Sequence, residues 1–262
     1  MKIGAMLNSF RRPTFAENLE AAASLGIDGV QFYVSDDLPD DVVADHLSRI
    51  KDKGMVFSAL CGDIGGYDNP DANREKIERF KRILDLSKKL ECSIVTTHIG
   101  KIPEPGKDDA KYQVMFDACK SIADYAASID AVFAIETGPE KAVFLKAFLD
   151  KIDSKGIGVN LDPANLVMCS HDDAAFAANV LSKYIVHTHA KDGISIGHND
   201  YLEVPLGQGG VHFDTYIPAL HYAGFDGFLT IERECGETPE KDIGMAVDFL
   251  RAITERYGYY RK

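Results

Sequence analysis

The sequence predicts an α/β fold in which eight parallel strands close into a single (β/α)8 barrel, with residues 1–262 as one domain. Three observations lead there. Short apolar runs alternate along the chain with longer amphipathic stretches, eight of each. The junction GIDG (26–29) is echoed by GFDG (224–227), as expected of a ring of equivalent units rather than a doubly wound sheet. Finally, four consecutive apolar runs end on an acidic or imidazole residue: AVFAIE at Glu136, IGVNLD at Asp162, IVHTH at His189 and GFLTIE at Glu232.

Taken in order, the first strand is expected over 2–7 (KIGAML). The helix over 14–25 opens with a capping box, Thr14 and Glu17, and carries Phe15, Leu19 and Ala22 on one face. Gly26 closes it, and a strand follows over 29–34 (GVQFYV). The helix over 41–53 ends at Gly54 before the strand over 55–60 (MVFSAL). Helices over 72–90 and 108–129 flank the strand over 93–97 (SIVTT), and strand 131–136 is followed by helix 140–152. After Gly156 come strand 157–162, helix 173–183 and strand 185–189. The last unit is helix 214–223, Gly224, strand 227–232 and helix 239–257. Gly26, Gly54, Gly156 and Gly224 stand where a left-handed residue commonly ends a helix. The Pro/Gly-rich stretches at 103–106 and 205–210 fit βα loops better than domain boundaries.

Composition narrows the class of function. Against 29 Lys and Arg stand 41 Asp and Glu, a net charge of −12, so there is no basic excess to displace counterions from nucleic acid or to hold an anionic membrane surface. The five cysteines are scattered without a CxxC pair, which fits free thiols in a reducing compartment. No run reads as a signal peptide or membrane span, so a cytoplasmic protein is expected.

Active sites of such barrels lie at the C-terminal ends of the strands. The polar strand endings Asn8, Gln31, His98, Glu136, Asp162, His189 and Glu232 fit that rule. Strand alternation puts Val132, Ala134 and Glu136 on one face, and likewise Asn160 with Asp162, His187 with His189 and Thr230 with Glu232. Three carboxylates and one imidazole suit one divalent cation, Mn²⁺, Mg²⁺, Co²⁺ or Zn²⁺, with positions left open for substrate oxygens. The absence of cysteine among the four argues against a closed structural zinc site.

Six strings carry a family resemblance: THIG (97–100), AIETG (134–138), GVNLDPANLV (158–167), VHTHAKD (186–192), VPLGQGGVHF (204–213) and GFLTIERE (227–234). In this order and spacing the chain resembles the xylose-isomerase-like TIM-barrel sugar isomerases and epimerases. That group includes ketose 3-epimerases, hydroxypyruvate isomerase, inosose dehydratase and, more distantly, endonuclease IV. The resemblance implies that Glu136, Asp162, His189 and Glu232 are the metal ligands and that Glu136 and Glu232 are the paired acid–base groups. It implies a carbohydrate substrate, proton removal beside its carbonyl through a metal-stabilised enediolate, and return of a proton to the other face (epimerisation) or the neighbouring carbon (isomerisation). Substrate-binding roles fall to His98, Asn165 and Lys191. Asn165 is a departure, because many relatives carry histidine there; an amide can bind a hydroxyl but is no proton shuttle. Family members are often homodimers or homotetramers.

His187 is expected as a buried group behind His189, and Arg233 to point outward. The loop GQGG (207–210) reads as a tight rim loop rather than a phosphate cradle, since no Lys-Ser/Thr pair follows it. With no tryptophan, Phe10, Tyr33, Tyr67 and Phe213 are the candidates for an aromatic wall. The rival within the same chemistry is a keto-sugar or keto-inositol dehydratase. A DNA-repair enzyme of the endonuclease IV type needs further histidines for a trinuclear zinc cluster, where this chain has Cys61 and Asn165. A non-catalytic binding protein would not need all four ligand types.

Overall fold

The computed structural model describes residues 1–197 and 200–260. Its strands are β1 (Lys2–Met6), β2 (Gly29–Tyr33), β3 (Val56–Cys61), β4 (Ile94–Thr97), β5 (Val132–Glu136), β6 (Ile157–Leu161), β7 (Ile185–Ala190), β8 (Asp192–Ser195), β9 (Tyr201–Val204) and β10 (Phe228–Ile231). The helices are α1 (Phe15–Ser24), α2 (Asp40–Asp52), α3 (Pro70–Lys89), α4 (Asp109–Ser128), α5 (Ala142–Ile152), the single turn α6 (Pro163–Asn165), α7 (Ala174–Val180), α8 (Phe213–Tyr222) and α9 (Pro239–Arg256). Eight strands close a parallel ring in the order β1-β10-β7-β6-β5-β4-β3-β2, so the expected barrel is the one observed. Among the described residues no helix is long and apolar enough to cross a membrane.

Strand alternation sorts side chains into two populations. Outward residues such as Phe32, Val95, Phe133, Val159 and Ile231 are buried under the helices, where Phe133 meets Phe80 of α3 edge-on at 5.0 Å. Burying each such ring or branched side chain stabilises the fold by roughly 1.5–3 kcal/mol. The inward population is polar: Gln31, Ser58, Thr96, Asn160, His187 and Thr230 are all buried, and mutual hydrogen bonds offset the cost of desolvating them. Two register shifts fall beside this polar layer, between Val30 and Gln31 and between Val159 and Asn160. They pair Gln31 with Ala59 and Asn160 with His187. A bulge of this kind re-aims side chains, and here it does so directly beneath the strand ends.

Local expectations mostly hold. Thr14 and Glu17 form the reciprocal capping box of α1, and Gly26, Gly54 and Gly224 adopt positive φ. Gly156 does not. Asp153 takes the left-handed position after α5, and Gly156 is needed because a Cβ there would fall 2.1 Å from the Ala123 carbonyl oxygen of α4.

Two features depart from the eight-unit expectation. After β7 the chain forms an antiparallel hairpin, β8–β9, outside the barrel sheet. Its burial pattern is inverted, with Asp192 and Glu203 inside and Tyr201 and Leu202 exposed, so hydrophobic alternation could not reveal it. After β6, α6 runs into a π-helical turn over Leu166–Ser170 before α7 begins, and α7 stops at Val180, short of the expected 183.

Candidate metal centre and active site

The four strand-end residues meet. Glu136 closes β5, Asp162 follows β6, His189 lies near the end of β7 and Glu232 follows β10. All four are buried, and each offers a ligand atom within 4.8 Å of the others. That span is little more than two metal–oxygen bonds of about 2.1 Å placed end to end. His189 Nδ1 is the hub, 3.5 Å from Glu136 Oε1, 3.4 Å from Asp162 Oδ2 and 3.3 Å from Glu232 Oε2.

The polar layer below decides which way each ligand presents itself. The Thr96 hydroxyl donates to the Leu60 carbonyl at 3.4 Å and so accepts from Gln31 Nε2 at 2.8 Å. This turns the Gln31 carbonyl toward His189, where it accepts from Nε2–H at 2.9 Å. With Nε2 carrying a proton, Nδ1 of the neutral ring points its lone pair at the three carboxylates. Glu136 is held by a second chain. The Thr230 hydroxyl donates to His187 Nε2 (2.8 Å), His187 Nδ1–H to Asn160 Oδ1 (2.8 Å), and Asn160 Nδ2 to Glu136 Oε2 (3.0 Å). Burial, with His189 beside it, drives the His187 pKa well below its ordinary value, so it stays neutral. Asp162 uses Oδ1 to cap α6, accepting from the amides of Ala164 (2.8 Å) and Asn165 (3.0 Å). Its Oδ2 is left buried and without a hydrogen bond, and so is His189 Nδ1.

Two lone-pair atoms orphaned side by side, with two more carboxylates in reach, are costly to bury unless a positive charge joins them. A divalent cation fits that requirement, and the mix of carboxylate and imidazole donors suits Mn²⁺, Mg²⁺, Co²⁺ or Zn²⁺ alike. Without a cation a proton takes the role. Burial disfavours the imidazolium, but Glu232 and Glu136 outweigh it and hold His189 charged well above its ordinary range. Glu232 is likewise kept ionised despite burial by His189 and Lys191, its pKa far below the usual carboxylate range.

Above the four residues opens a cavity of about 240 Å³, lined among others by Tyr33, His98, Asn165, Lys191, Tyr201 and Glu234. Asn165 donates from Nδ2 to Glu136 Oε1 at 3.1 Å. His98 places Nε2 3.5 Å from the same oxygen and Nδ1 3.2 Å from Asp63 Oδ2. The hydrogen bond to Asp63 and the nearby Glu136 charge push its pKa up to about 9. Lys191 Nζ donates to Glu232 Oε2 at 2.9 Å and pairs with Glu234.

Residues 19–253 match the family described as Xylose isomerase-like TIM barrel. The chain belongs to that family. Solved structures agree on the fold. A xylose isomerase domain protein from Planctomyces limnophilus superposes with a TM-score of 0.85 at 22% identity, covering 97% of each chain. A D-tagatose 3-epimerase-like protein gives 0.79 at 17% identity, over 98% of this chain and 100% of its own. A probable 3-DHS dehydratase from Bacillus anthracis gives 0.75 at 17%, over 96% and 99%. At these identities the likeness establishes architecture alone.

Within this family frame, the structure brings all seven sequence-proposed site residues to one cavity or its floor. The aromatic wall needs correction. Tyr33 does line the cavity, but Phe10 and Tyr67 are buried core residues, and Phe213 packs against Tyr216 and Phe249. Their loop positions disguised that they serve the layer between strands and helices. Tyr201, from the hairpin, is the aromatic that sequence reasoning missed. Also missed was a buried ion network. Arg233 does point away from the cavity, yet it is not solvated: Nη1 donates to Glu203 Oε1 at 2.6 Å and Nε to Asp242 Oδ2 at 2.9 Å. Glu203 also accepts from the Glu234 amide at 3.1 Å, tying the hairpin to the chain just past Glu232. The roles of Gln31 and Asn160 left one usable signal, an amide side chain on the inward face of an otherwise apolar strand.

Proposed function

We propose that this protein is a divalent-metal-dependent sugar isomerase or epimerase that moves a proton at the carbon beside a substrate carbonyl. One observation carries the reading: His189 Nδ1 and Asp162 Oδ2 are buried without partners at a point where Glu136 and Glu232 also converge. Glu136, Asp162, His189 and Glu232 would hold the cation. When bound, it supplies Lewis-acid polarisation of the carbonyl and of a neighbouring hydroxyl, acidifying the adjacent C–H.

The remaining chemistry belongs to the chain. Glu136 and Glu232 stand on strand ends that β6 and β7 separate around the ring, so they approach the cavity floor from different sides. Two side-chain amides, Asn160 and Asn165, hold Glu136 by both oxygens, which fixes its direction without supplying a competing proton. Glu136 takes the proton from carbon. Glu232, held charged by Lys191 in the resting site, takes up a proton from solvent and returns it to the opposite face or to the next carbon, while Glu136 passes the abstracted proton to solvent. Asn165 and Lys191 stand at the substrate's hydroxyls, and His98 at the mouth. A second reading, the dehydratase, draws on His98. Raised to about 9, it carries a proton at neutral pH that could leave with a departing hydroxyl. Similarity in fold to both an epimerase-like protein and a dehydratase is compatible with either outcome.

The experiment is solvent exchange. Protein supplied with Mn²⁺, Mg²⁺, Co²⁺ or Zn²⁺ is incubated with candidate ketoses and keto-inositols in D₂O and the products are read by NMR. Deuterium beside the carbonyl with retained hydroxyls supports epimerase or isomerase; loss of a hydroxyl supports the dehydratase. Glu136→Gln and Glu232→Gln are each expected to lower turnover about 10²–10⁴-fold. Wild-type turnover in either variant would sink the paired-glutamate scheme.

A further inference from the structure

Three βα loops pack together on one side of the cavity mouth, and the middle one, after β4, carries His98. On one flank the loop after β3 holds it by backbone and side-chain contacts. The Tyr67 amide donates to the Ile99 carbonyl at 2.9 Å, and Asp63 Oδ2 stands 3.2 Å from His98 Nδ1. The two backbones touch, since a Cβ on Gly66 would fall 3.2 Å from the Gly100 Cα. On the other flank the loop after β5 adds Gly138 and Pro139 to the cavity wall and then buries Glu140.

Glu140 is only 5% exposed and takes no part in the chemistry described above. The backbone amides of Ile102 and of Glu140 itself point at its carboxyl, while Oε2 is buried with no hydrogen bond. Ile102 is itself buried, so the contact joins an inner point of one loop to an inner point of the other. A glutamine would meet the Ile102 amide as well, and a leucine would leave no polar atom over; an ionisable group here costs stability. Burial pushes its pKa up to about 7, against the pull of the two amides and of the Lys101 and His98 charges. Those two charges reach it from the loop after β4, where Lys101 is exposed; on its own side the next residue, Lys141, is exposed as well.

We infer that Glu140 latches the His98 loop to the cavity wall while it is protonated and releases that loop when it ionises. With the two loops together the carboxyl is dry and keeps its proton to a higher pH. Once the loop lifts, water reaches the group and its ordinary value of 4.5 applies. Opening therefore sheds a proton. The closed form is favoured below about 4.5, opening grows by about tenfold per pH unit toward 7, and above about 7 it levels off. Glu140 touches no substrate and acts through His98, so it is a positioning residue. Its effect on turnover rests on the proton-transfer reading above; the latch itself does not.

Amide hydrogen exchange of the full chain, followed by NMR, reads the latch without any substrate. With the intrinsic rate divided out, protection of the Ile102 amide in the wild type is expected to fall about 40-fold between pH 5 and pH 7. Glu140→Gln keeps an acceptor for that amide but cannot ionise, and should hold its protection within about threefold across the same range. Glu140→Ala removes the acceptor and should leave the amide no better protected at pH 5 than the wild type is at pH 7. The Val159 amide, bonded to the Tyr184 carbonyl in the barrel wall at 2.7 Å, controls for global unfolding. Wild-type protection that stays constant with pH, or that falls equally in Glu140→Gln, would overturn the inference. A latch that behaves as expected beside a Glu136→Gln variant with wild-type turnover would leave the latch standing and refute the proton-transfer reading.

Discussion

Gln31→Leu isolates the step by which a buried amide makes an imidazole into a ligand. The wild-type carbonyl accepts from His189 Nε2–H at 2.9 Å, and the amide nitrogen donates to Thr96 at 2.8 Å. Leucine fills the space but removes both bonds. The hydrogen-bonding neighbour then left to His189 Nε2 is Asn160 Nδ2 at 3.3 Å, which is a donor. The neutral ring therefore gains by moving its proton to Nδ1, freeing Nε2 to accept from Asn160. That places hydrogen on the nitrogen that must face the cation. Removing such an orienting partner costs about 10–100-fold in metal affinity, or roughly 1.4–2.7 kcal/mol. Leaving Thr96 and His189 short of partners adds about 1–3 kcal/mol of global destabilisation. Calorimetric titration of Mn²⁺ or Zn²⁺ against a competing chelator gives the affinity, and ¹⁵N-detected histidine spectra give the tautomer. A variant that binds metal within twofold of wild type with His189 still protonated on Nε2 would refute the reasoning.

Metal binding should also depend on pH with a definite sign. Without a cation the His189 pKa stands well above its ordinary value of about 6.5, so its contribution to stability is complete below about 6.5 and fades as pH rises through the raised value. A cation must displace that proton, so affinity should climb about tenfold per pH unit from 6 to 7.5, with about one proton released; calorimetry in buffers of differing ionisation enthalpy measures it, and zero release would contradict the picture. Asp192→Asn replaces a carboxylate that accepts four amide hydrogens with a group that presents its own donors. It should cost about 3 kcal/mol or more in urea denaturation and expose the amides of 207–211 to hydrogen exchange. Arg233→Met leaves Glu203 buried without its guanidinium, an expected loss of about 3–5 kcal/mol; a change under 1 kcal/mol would show the pair to be dispensable.

The four ligand candidates and the barrel were legible together, because a strand's period of two and the placement of barrel sites at strand ends are properties of local sequence. The hairpin was not legible, since its inward positions are Asp192 and Glu203 and its outward ones Tyr201 and Leu202, the reverse of the usual code. Phe10, Tyr67 and Phe213 misled for a related reason. A residue's place in a loop does not say which layer its side chain enters, and each of these entered the core. Gly156 shows the same limit for backbone, its need arising from the approach of α4 rather than from its own φ.

By itself, then, the sequence determined the ring of eight strands, the four residues at its mouth and the acidic balance of the chain, a net charge of −12, all consequences of periodicity and composition. Only the tertiary structure decided how those four residues are presented. Gln31, Thr96, Asn160, His187 and Thr230 lie on five different strands, and their hydrogen bonds exist only once bulged registers bring them into one layer. The filling of the glycine loop by Asp192 and the pairing of Lys191 with Glu234 are of the same kind. Hydrogen-bond direction and charge compensation depend on separations of about 3 Å between groups distant in the chain, and those separations are set when the barrel closes.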